Sequence, residues 1–182
     1  MKTNLRHIIL TILVLSSAIC GAETRTITHW FQSLFSASPA KITIANNNQR
    51  GTTEDNVTYT CSSGGEFLSD ISKTASNLSI FLEKSNAQVV TSPILNLDSI
   101  RIHYYPSANK DMYVAISSDS LSWSNVSVSH EANGIKTVKL PTKGDYYVRI
   151  KRKSSDNVYV WKIEYFYIDS SGCPNCRVYV PE

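Results

Sequence analysis

Short runs of alternating or β-branched residues recur along almost the whole 182-residue chain, with turn-forming residues between them. Alternation buries one face of a strand, and clusters of Gly, Asn, Asp, Ser and Pro are typical of tight connections. Many short strands at this spacing predict an all-β protein, a single antiparallel β-sandwich with at most one short N-terminal helix, at residues 29–36. The predicted strands are residues 41–45, 56–60, 78–83, 87–92, 98–105, 112–117, 126–129, 135–140, 145–152, 158–168 and 177–180.

Residues 1–22 have the order of a secretory signal peptide: a short basic start, the apolar run 8–15, and small residues before a cleavage position. The apolar run is much shorter than the roughly 18 residues of a membrane helix, so we expect no membrane span after cleavage. Lipoprotein anchoring through Cys20 is less favoured, because the residue before it is not small. We therefore expect one domain, residues 23–182, in a secreted, periplasmic or cell-surface protein.

The charge of the predicted domain argues against nucleic acid as a partner. Residues 23–182 contain sixteen Lys and Arg side chains and fifteen Asp and Glu side chains. Nucleic-acid binding rewards a clustered basic face, and this balance supplies none. The only local excess, residues 149–153, is expected to be a strand that continues into a solvated loop.

Three cysteines follow the predicted signal peptide: Cys61, Cys173 and Cys176. In an oxidising compartment Cys173 and Cys176 could form a disulfide with each other, or one of them could reach Cys61. A redox-active CxxC motif precedes a helix, and a zinc site needs four ligands; the sequence fits neither. We expect structural or incidental cysteines.

Two segments carry a resemblance to a known family. MYVAISSDSLSWSNVSV (112–128) resembles the strand–turn–Trp–strand unit of galactose-binding-like, discoidin-type β-sandwiches, and GDYYVRIKRKSSDNVYVWKIEYFYI (144–168) resembles their closing pair of strands. NVTYTCSSGGEF (56–67) is similar to a segment of small sandwich domains in secreted Bacteroidetes polysaccharide-processing proteins. The resemblance covers about residues 40–168 and implies a jelly-roll fold and a carbohydrate-binding role.

Two tryptophans are expected in the core. In the resembled unit the tryptophan after the turn packs inward, which implies a structural role for Trp123 instead of a ligand platform. Alternation along residues 158–168 places Trp161 on the same face as Ile163 and Tyr165, so Trp161 is also predicted to be a core residue.

A polar sheet face is the candidate ligand site. If residues 98–105, 112–117 and 145–152 lie in one sheet, their outward side chains combine aromatic rings, which stack on sugar C–H groups, with Arg and His donors. The alternatives are an ordinary solvated face stiffened by cross-strand pairs, or the end loops that discoidin-type modules use, here Asn109, Lys110, Asp111, Asp156 and Asn157. The six candidate carbohydrate ligands are Arg101, His103, Tyr105, Tyr113, Tyr147 and Arg149.

The sequence contains no recognisable metal-binding or catalytic motif. Resembled sandwiches often hold a structural calcium ion, but no DxDxDG-type loop is present, and Glu54, Asp55 and Glu66 could meet only through folding. No histidine lies in a recognisable catalytic motif, and no cofactor motif occurs. The sequence therefore predicts an exported, non-catalytic carbohydrate-binding module without a cofactor. The alternative is a structural or protein-interaction domain of the cell envelope.

Overall fold

β-Strands make up nearly all of the chain that the computed structural model describes, namely residues 23–31, 42–45, 50–68, 79–105, 112–153 and 157–169. Thr24–Ile168 form one compact unit, and the terminal segments Met1–Glu23 and Asp169–Glu182 are assigned to a second. The first unit contains the strands, apart from the end residues Glu23 and Asp169. Its strands are β1 (Glu23–Trp30), β2 (Ile42–Ala45), β3 (Arg50–Thr53), β4 (Thr58–Ser62), β5 (Gly65–Leu68), β6 (Ser79–Leu82), β7 (Gln88–Thr91), β8 (Ile94–Tyr105), β9 (Met112–Ser117), β10 (Ser124–Val126), β11 (Val128–Ala132), β12 (Ile135–Arg152) and β13 (Val158–Asp169).

The strands form two sheets that share β12. Sheet A has the order β11–β12–β8–β13–β6–β5, with β1 also paired to β13. Sheet B has the order β2–β3–β4–β7–β12–β9–β10. All of the pairs whose registers are defined are antiparallel. The predicted all-β, antiparallel sandwich is confirmed.

β12 is longer than predicted and passes from one sheet to the other. Residues 135–140 and 145–152, expected as two strands, belong to one continuous strand. Its register with β8 shifts on both sides of Gly144, and beyond Tyr146 the strand pairs with β7 and β9 instead. A Cβ atom at Gly144 would lie 3.1 Å from the Tyr146 ring, so glycine leaves room where the strand changes sheets.

The core lies between the two sheets and follows the predicted alternation. Ile100 and Ile102 of β8 are fully buried, as are Val148 and Ile150 of β12. Each such side chain stabilises the fold by about 1.5–3 kcal/mol through burial. The same cluster contains, from β9 and β13, Met112, Val114, Ile116, Val158, Val160, Ile163 and Tyr165.

The prediction that Trp161 is a core residue is wrong, because β13 contains a bulge. The register of β13 on β8 shifts between Val160 and Lys162. One extra residue reverses the alternation, so Val160 points inward before the bulge and Ile163 after it. Trp161 is only half-buried and contacts the rings of Trp30 and His103 on the outer face of sheet A.

The helix predicted at residues 29–36 is described only at its start. His29 and Trp30 belong to strand β1 instead, residue 31 is helical, and residues 32–36 lie outside the described residues. No helix in the described part of the chain is both long and apolar enough to cross a membrane. The predicted signal peptide, the strand at 177–180 and the cysteine pair Cys173–Cys176 also lie outside the described residues.

Two further differences concern short strands. The strand predicted at residues 126–129 is interrupted at Ser127, where the chain leaves sheet B (β10) and joins sheet A (β11). Strands β3 (RGTT) and β5 (GEFL) were not predicted, because four residues with glycine show no clear alternation. β3 pairs with β2 on one side and with β4 on the other, whereas β5 lies at an edge of sheet A and pairs with β6.

Candidate functional site

The six predicted ligand residues do not share a face. Arg101, His103 and Tyr105 lie on β8 in sheet A, whereas the other three lie on β9 and on the second half of β12, in sheet B. The prediction assumed one sheet, and the transfer of β12 at Gly144 contradicts that assumption. The outer faces of the two sheets of a sandwich point in opposite directions. The three residues of sheet B are Tyr113, Tyr147 and Arg149.

On the outer face of sheet A, charged side chains neutralise one another around Glu164. His103 Nε2 lies 2.6 Å from Glu164 Oε2, and Arg101 Nη1 lies 3.8 Å from the same oxygen. Lys162 Nζ lies 3.4 Å from the other oxygen, Oε1. Arg101 Nε also donates to Glu131 at 2.9 Å. The cations of this cluster therefore have carboxylate partners within the protein.

The hydrogen bond between His103 and Glu164 contributes to the pKa values of both groups. Burial lowers the pKa of His103 below its ordinary value, although the hydrogen bond to Glu164 acts in the opposite direction. Burial alone would raise the pKa of Glu164, but the hydrogen bond from His103 and the positive charge of Lys162 outweigh it and lower that pKa. Both lowered pKa values fit a neutral His103 imidazole that donates a hydrogen bond from Nε2 to the Glu164 carboxylate.

Aromatic rings surround this cluster but pack mainly against one another. The Trp30 and Trp161 rings lie 5.4 Å apart, with Lys162 Nζ within 6 Å of both. Tyr159 stacks on Phe81 at 4.6 Å and contacts Tyr105. The outer face of sheet A thus resembles the alternative stated above, a face stiffened by cross-strand pairs.

The outer face of sheet B has a concavity of 310 Å³. Its centre is Ala115 on β9, which pairs with Asn125 of β10 on one side and with Arg149 of β12 on the other. The next row pairs Tyr113 with Lys151. All five residues line the concavity.

Ala115 creates the depression because its methyl group is flanked by longer side chains. In the alternation of β9, Ala115 points to the outer face, whereas Val114 and Ile116 point into the core. Neighbouring side chains bury Ala115, although it is not part of the core cluster. Tyr113, at the rim, keeps 44% of its surface exposed. The small side chain of Ala115, between an amide, a guanidinium and an aromatic ring, leaves a depression into which part of a ligand can enter.

Trp123 belongs to this face and not to the core, so its predicted role as a core residue is wrong. It is half-buried and lies outside the core cluster, and the Arg149 guanidinium carbon is 4.4 Å from its ring centroid. Its indole Nε1 donates to the carbonyl of Ser120 at 3.2 Å. Trp123 therefore supports Arg149 by a cation–π contact.

Asp119 holds the turn that places Trp123. Its Oδ1 accepts hydrogen bonds from Ser117 Oγ and from the backbone N–H groups of Leu121 and Ser122, each at 2.8 Å. The two backbone N–H donors, Ser122 first, lower the pKa of Asp119 to about 2. Ser120 adopts φ of 63°, a left-handed conformation that glycine tolerates best, and the hydrogen bonds to Asp119 stabilise the turn around it.

Within the described residues, the two cations that line the concavity of sheet B lack the neutralising partners found on sheet A. Among the described residues, neither Arg149 nor Lys151 has a carboxylate within ion-pair distance, and the contact of Arg149 with Trp123 is aromatic. Lys153 Nζ lies 5.3 Å from the Tyr113 ring centroid. The concavity is thus lined by unneutralised positive charge.

A separate polar network is buried between the sheets. His29 of β1 contacts the Tyr59 hydroxyl at 2.5 Å through Nδ1 and Asp55 at 2.9 Å through Nε2, and Tyr59 contacts the Tyr165 hydroxyl at 3.0 Å. The hydrogen bond to His29 lowers the pKa of Asp55 to about 2 despite its partial burial. Since His29 and Tyr59 are buried, the network ties β1 to sheet B, and its Asp55 carboxylate is the part that reaches the surface.

The remaining predicted ligands and metal sites can be placed only in part. Of the loop alternatives, the structure describes Asn157, which is exposed, and the other four lie outside the described residues. Within the described ranges, no group of three or more His, Cys, Asp or Glu side chains could hold a metal ion. Cys61 is a buried free thiol, and burial raises its pKa to about 12.

Sequence reasoning missed Ala115, Trp123, Asn125 and Lys151 as members of the site. The alternation of MYVAIS and DYYVRIKR already placed Ala115 beside Tyr113 and Lys151 beside Arg149. No signal indicated Asn125, because its position depends on the pairing of β10 with β9.

Similar solved structures were found, whereas no protein-family model and no curated protein matches the chain. The chain is similar to CpGH89CBM32-6 produced by Clostridium perfringens, with 13% identity, 80% of this chain and 94% of that chain covered, and a TM-score of 0.42. It is also similar to the K2 cleaved adhesin domain of Lys-gingipain, with 16% identity, 78% of this chain and 99% of that chain covered, and a TM-score of 0.43. A third similar structure is the low affinity xylan binding module CBM86 from Roseburia intestinalis, with 8% identity, 82% of this chain and 98% of that chain covered, and a TM-score of 0.36. Likeness at these TM-scores carries no argument about ligand or activity.

Proposed function

We propose that this protein is a carbohydrate-binding module that holds a glycan in the concavity of sheet B. The observation that carries the proposal is the geometry of that concavity: an alanine floor, an exposed tyrosine at the rim, and amide and guanidinium groups on two sides. Its 310 Å³ lies at the lower end of the range of about 300–1,000 Å³ for ligand sites. A short segment of a glycan fits such a volume better than a large apolar ligand.

The lining residues supply the chemistry that a sugar needs. The carboxamide of Asn125 both donates and accepts hydrogen bonds, and the guanidinium of Arg149 donates several, so both can pair with hydroxyl groups. The ring of Tyr113 offers an apolar surface for sugar C–H groups and a polar hydroxyl at its tip. Because these groups lie on paired strands and not on loops, they are held in place before the ligand binds.

We further propose that the module binds without turnover. Glycoside hydrolysis requires two carboxyl groups on either side of the scissile bond. The concavity has no carboxylate in its lining, and Asp119, in the turn before Trp123, accepts hydrogen bonds from that turn. Export of the protein is also part of the proposal and rests on residues 1–22 alone.

The test compares two tyrosines that are equally exposed, on opposite faces. Tyr113 and Tyr105 each keep 44% of their surface exposed. We expect Tyr113→Ala to abolish retention of the protein on its glycan in affinity electrophoresis across a polysaccharide panel, and Tyr105→Ala to leave it unchanged. Equal thermal midpoints would show that both variants fold. Loss of retention in Tyr105→Ala alone would move the site to sheet A and overturn the proposal.

A further inference from the structure

We propose that the glycan bound on sheet B is anionic, with a carboxylate or sulfate group between Arg149 and Lys151. This inference rests on the proposed function and names the class of its ligand. The two cations alternate along β12, so they project from the same face about 6.6 Å apart along the strand. An anionic oxygen group between them would contact both.

The first support is the absence of an internal counter-ion. In the described part of the chain, Arg149 and Lys151 have no carboxylate partner, whereas Arg101 and Lys162 of sheet A share Glu164. Asp119 accepts three hydrogen bonds within its own turn. The attraction of the two cations is therefore available to a ligand.

The second support is that Arg149 is held in position before the ligand arrives. Its guanidinium lies 4.4 Å from the Trp123 ring centroid, and Trp123 is fixed by its hydrogen bond to Ser120. A planar guanidinium held this way presents its N–H groups as a fork, which matches a carboxylate or sulfate with two parallel hydrogen bonds. A neutral sugar would use only part of this capacity.

The third support concerns shape and favours a glycan over nucleic acid. Phosphate chains are bound by an extended basic track, but here two cations flank a depression floored by Ala115. Asn125 and Tyr113 complete the lining with groups suited to hydroxyls and C–H surfaces. This arrangement of side chains suits a sugar ring that carries one charged substituent.

The experiment uses polysaccharide pairs that differ only in charge. One pair is polygalacturonate and its fully methyl-esterified form, which tests a carboxylate; the other is dextran sulfate and dextran, which tests a sulfate. Binding of the full chain is measured by isothermal titration at low and physiological salt. We expect at least one charged member to bind ten-fold or more tightly than its neutral partner, and its affinity to fall with added salt.

Three variants locate the effect. We expect Arg149→Gln to weaken binding of the charged polysaccharide ten-fold or more and Arg149→Lys to weaken it less, because the charge remains without the fork. Lys143→Gln, at an exposed cation outside the concavity, should bind as the unmodified chain does. Near-ultraviolet circular dichroism checks that each variant is folded.

The outcomes separate the two proposals. Selective binding of a charged member that Arg149→Gln removes supports the anionic ligand. Equal binding of both members, lost in Tyr113→Ala, overturns the anionic ligand and leaves the glycan-binding function standing. Binding of a charged member that Arg149→Gln does not weaken overturns this inference, as does tighter binding of single-stranded DNA. Absence of binding to any polysaccharide overturns both proposals.

Discussion

The two outer faces of this sandwich carry similar residues but pair them differently. On sheet A, Arg101, His103 and Lys162 surround Glu164, and each charge or hydrogen-bonding group finds a partner within the protein. On sheet B, Arg149 and Lys151 lie beside a 310 Å³ concavity without a carboxylate partner in the described residues.

The comparison shows that residue type is a poor guide to a binding face, and that pairing is a better one. A neutralised cluster stabilises the native state but has little left to offer a ligand, because its hydrogen bonds are already made. Unpaired cations around a depression add little to stability and keep their interaction capacity for a partner. Under the proposed function, the same Arg and Tyr content supports structure on one face and recognition on the other.

The largest expected effect comes from filling the concavity. Ala115→Leu places a branched side chain on its floor, and we expect glycan affinity to fall at least a hundred-fold, which is about 2.8 kcal/mol of binding free energy. The matched control is Ala132→Leu, at an exposed alanine on β11 of sheet A, which should bind normally. Titration calorimetry measures both. Unchanged affinity in Ala115→Leu would place the ligand elsewhere.

A stability experiment tests the comparison from the other side. Glu164→Leu removes the acceptor of His103 Nε2 and the partner of two cations, so we expect the free energy of unfolding to fall by about 1–3 kcal/mol. Lys151→Leu, the equivalent change on sheet B, should alter it by no more than about 0.5 kcal/mol. Urea denaturation measures both values. Equal losses would contradict the division of roles between the two faces.

A smaller effect is expected from the aromatic support of Arg149. Trp123→Leu removes a cation–π contact worth about 0.5–1 kcal/mol, so glycan affinity should fall roughly two- to five-fold. Trp123→Phe keeps an aromatic face and should recover most of the affinity. If the leucine and phenylalanine variants bind equally, Trp123 acts only through the turn and does not position Arg149.

The smallest effect is a pH dependence of stability that originates on sheet A. The folded-state pKa of His103 is lowered, so its contribution is lost as the pH falls below its unfolded value of 6.5. The pKa of Glu164 is also lowered, so its contribution is present above 4.5 and lost as the pH falls through the folded-state pKa. Thermal midpoints measured from pH 8 down to well below pH 4.5 should show both losses. His103→Gln should remove the upper one, and Lys151→Gln should remove neither.

Part of this organisation could be predicted from alternation alone. The inward side chains of β8, β9 and the second half of β12, such as Ile102, Val114 and Ile150, are buried as predicted. Trp161 was misplaced because one bulge in β13 reverses the alternation, and a bulge leaves no clear mark in a single sequence. Trp123 was misplaced because its environment is made by Arg149, 26 positions away in the chain.

What the sequence by itself determined is the class of the fold and which side of most strands is buried, since both follow from the local two-residue period of a β-strand. Which strands become neighbours was decided only by the tertiary structure. The passage of β12 from sheet A to sheet B separates Arg101 from Arg149, and the pairing of β10 with β9 brings Asn125 beside Ala115. The physical reason is that alternation assigns a residue to a face, whereas a binding site requires several strands to be joined in register, and register is set by contacts between residues distant in the chain.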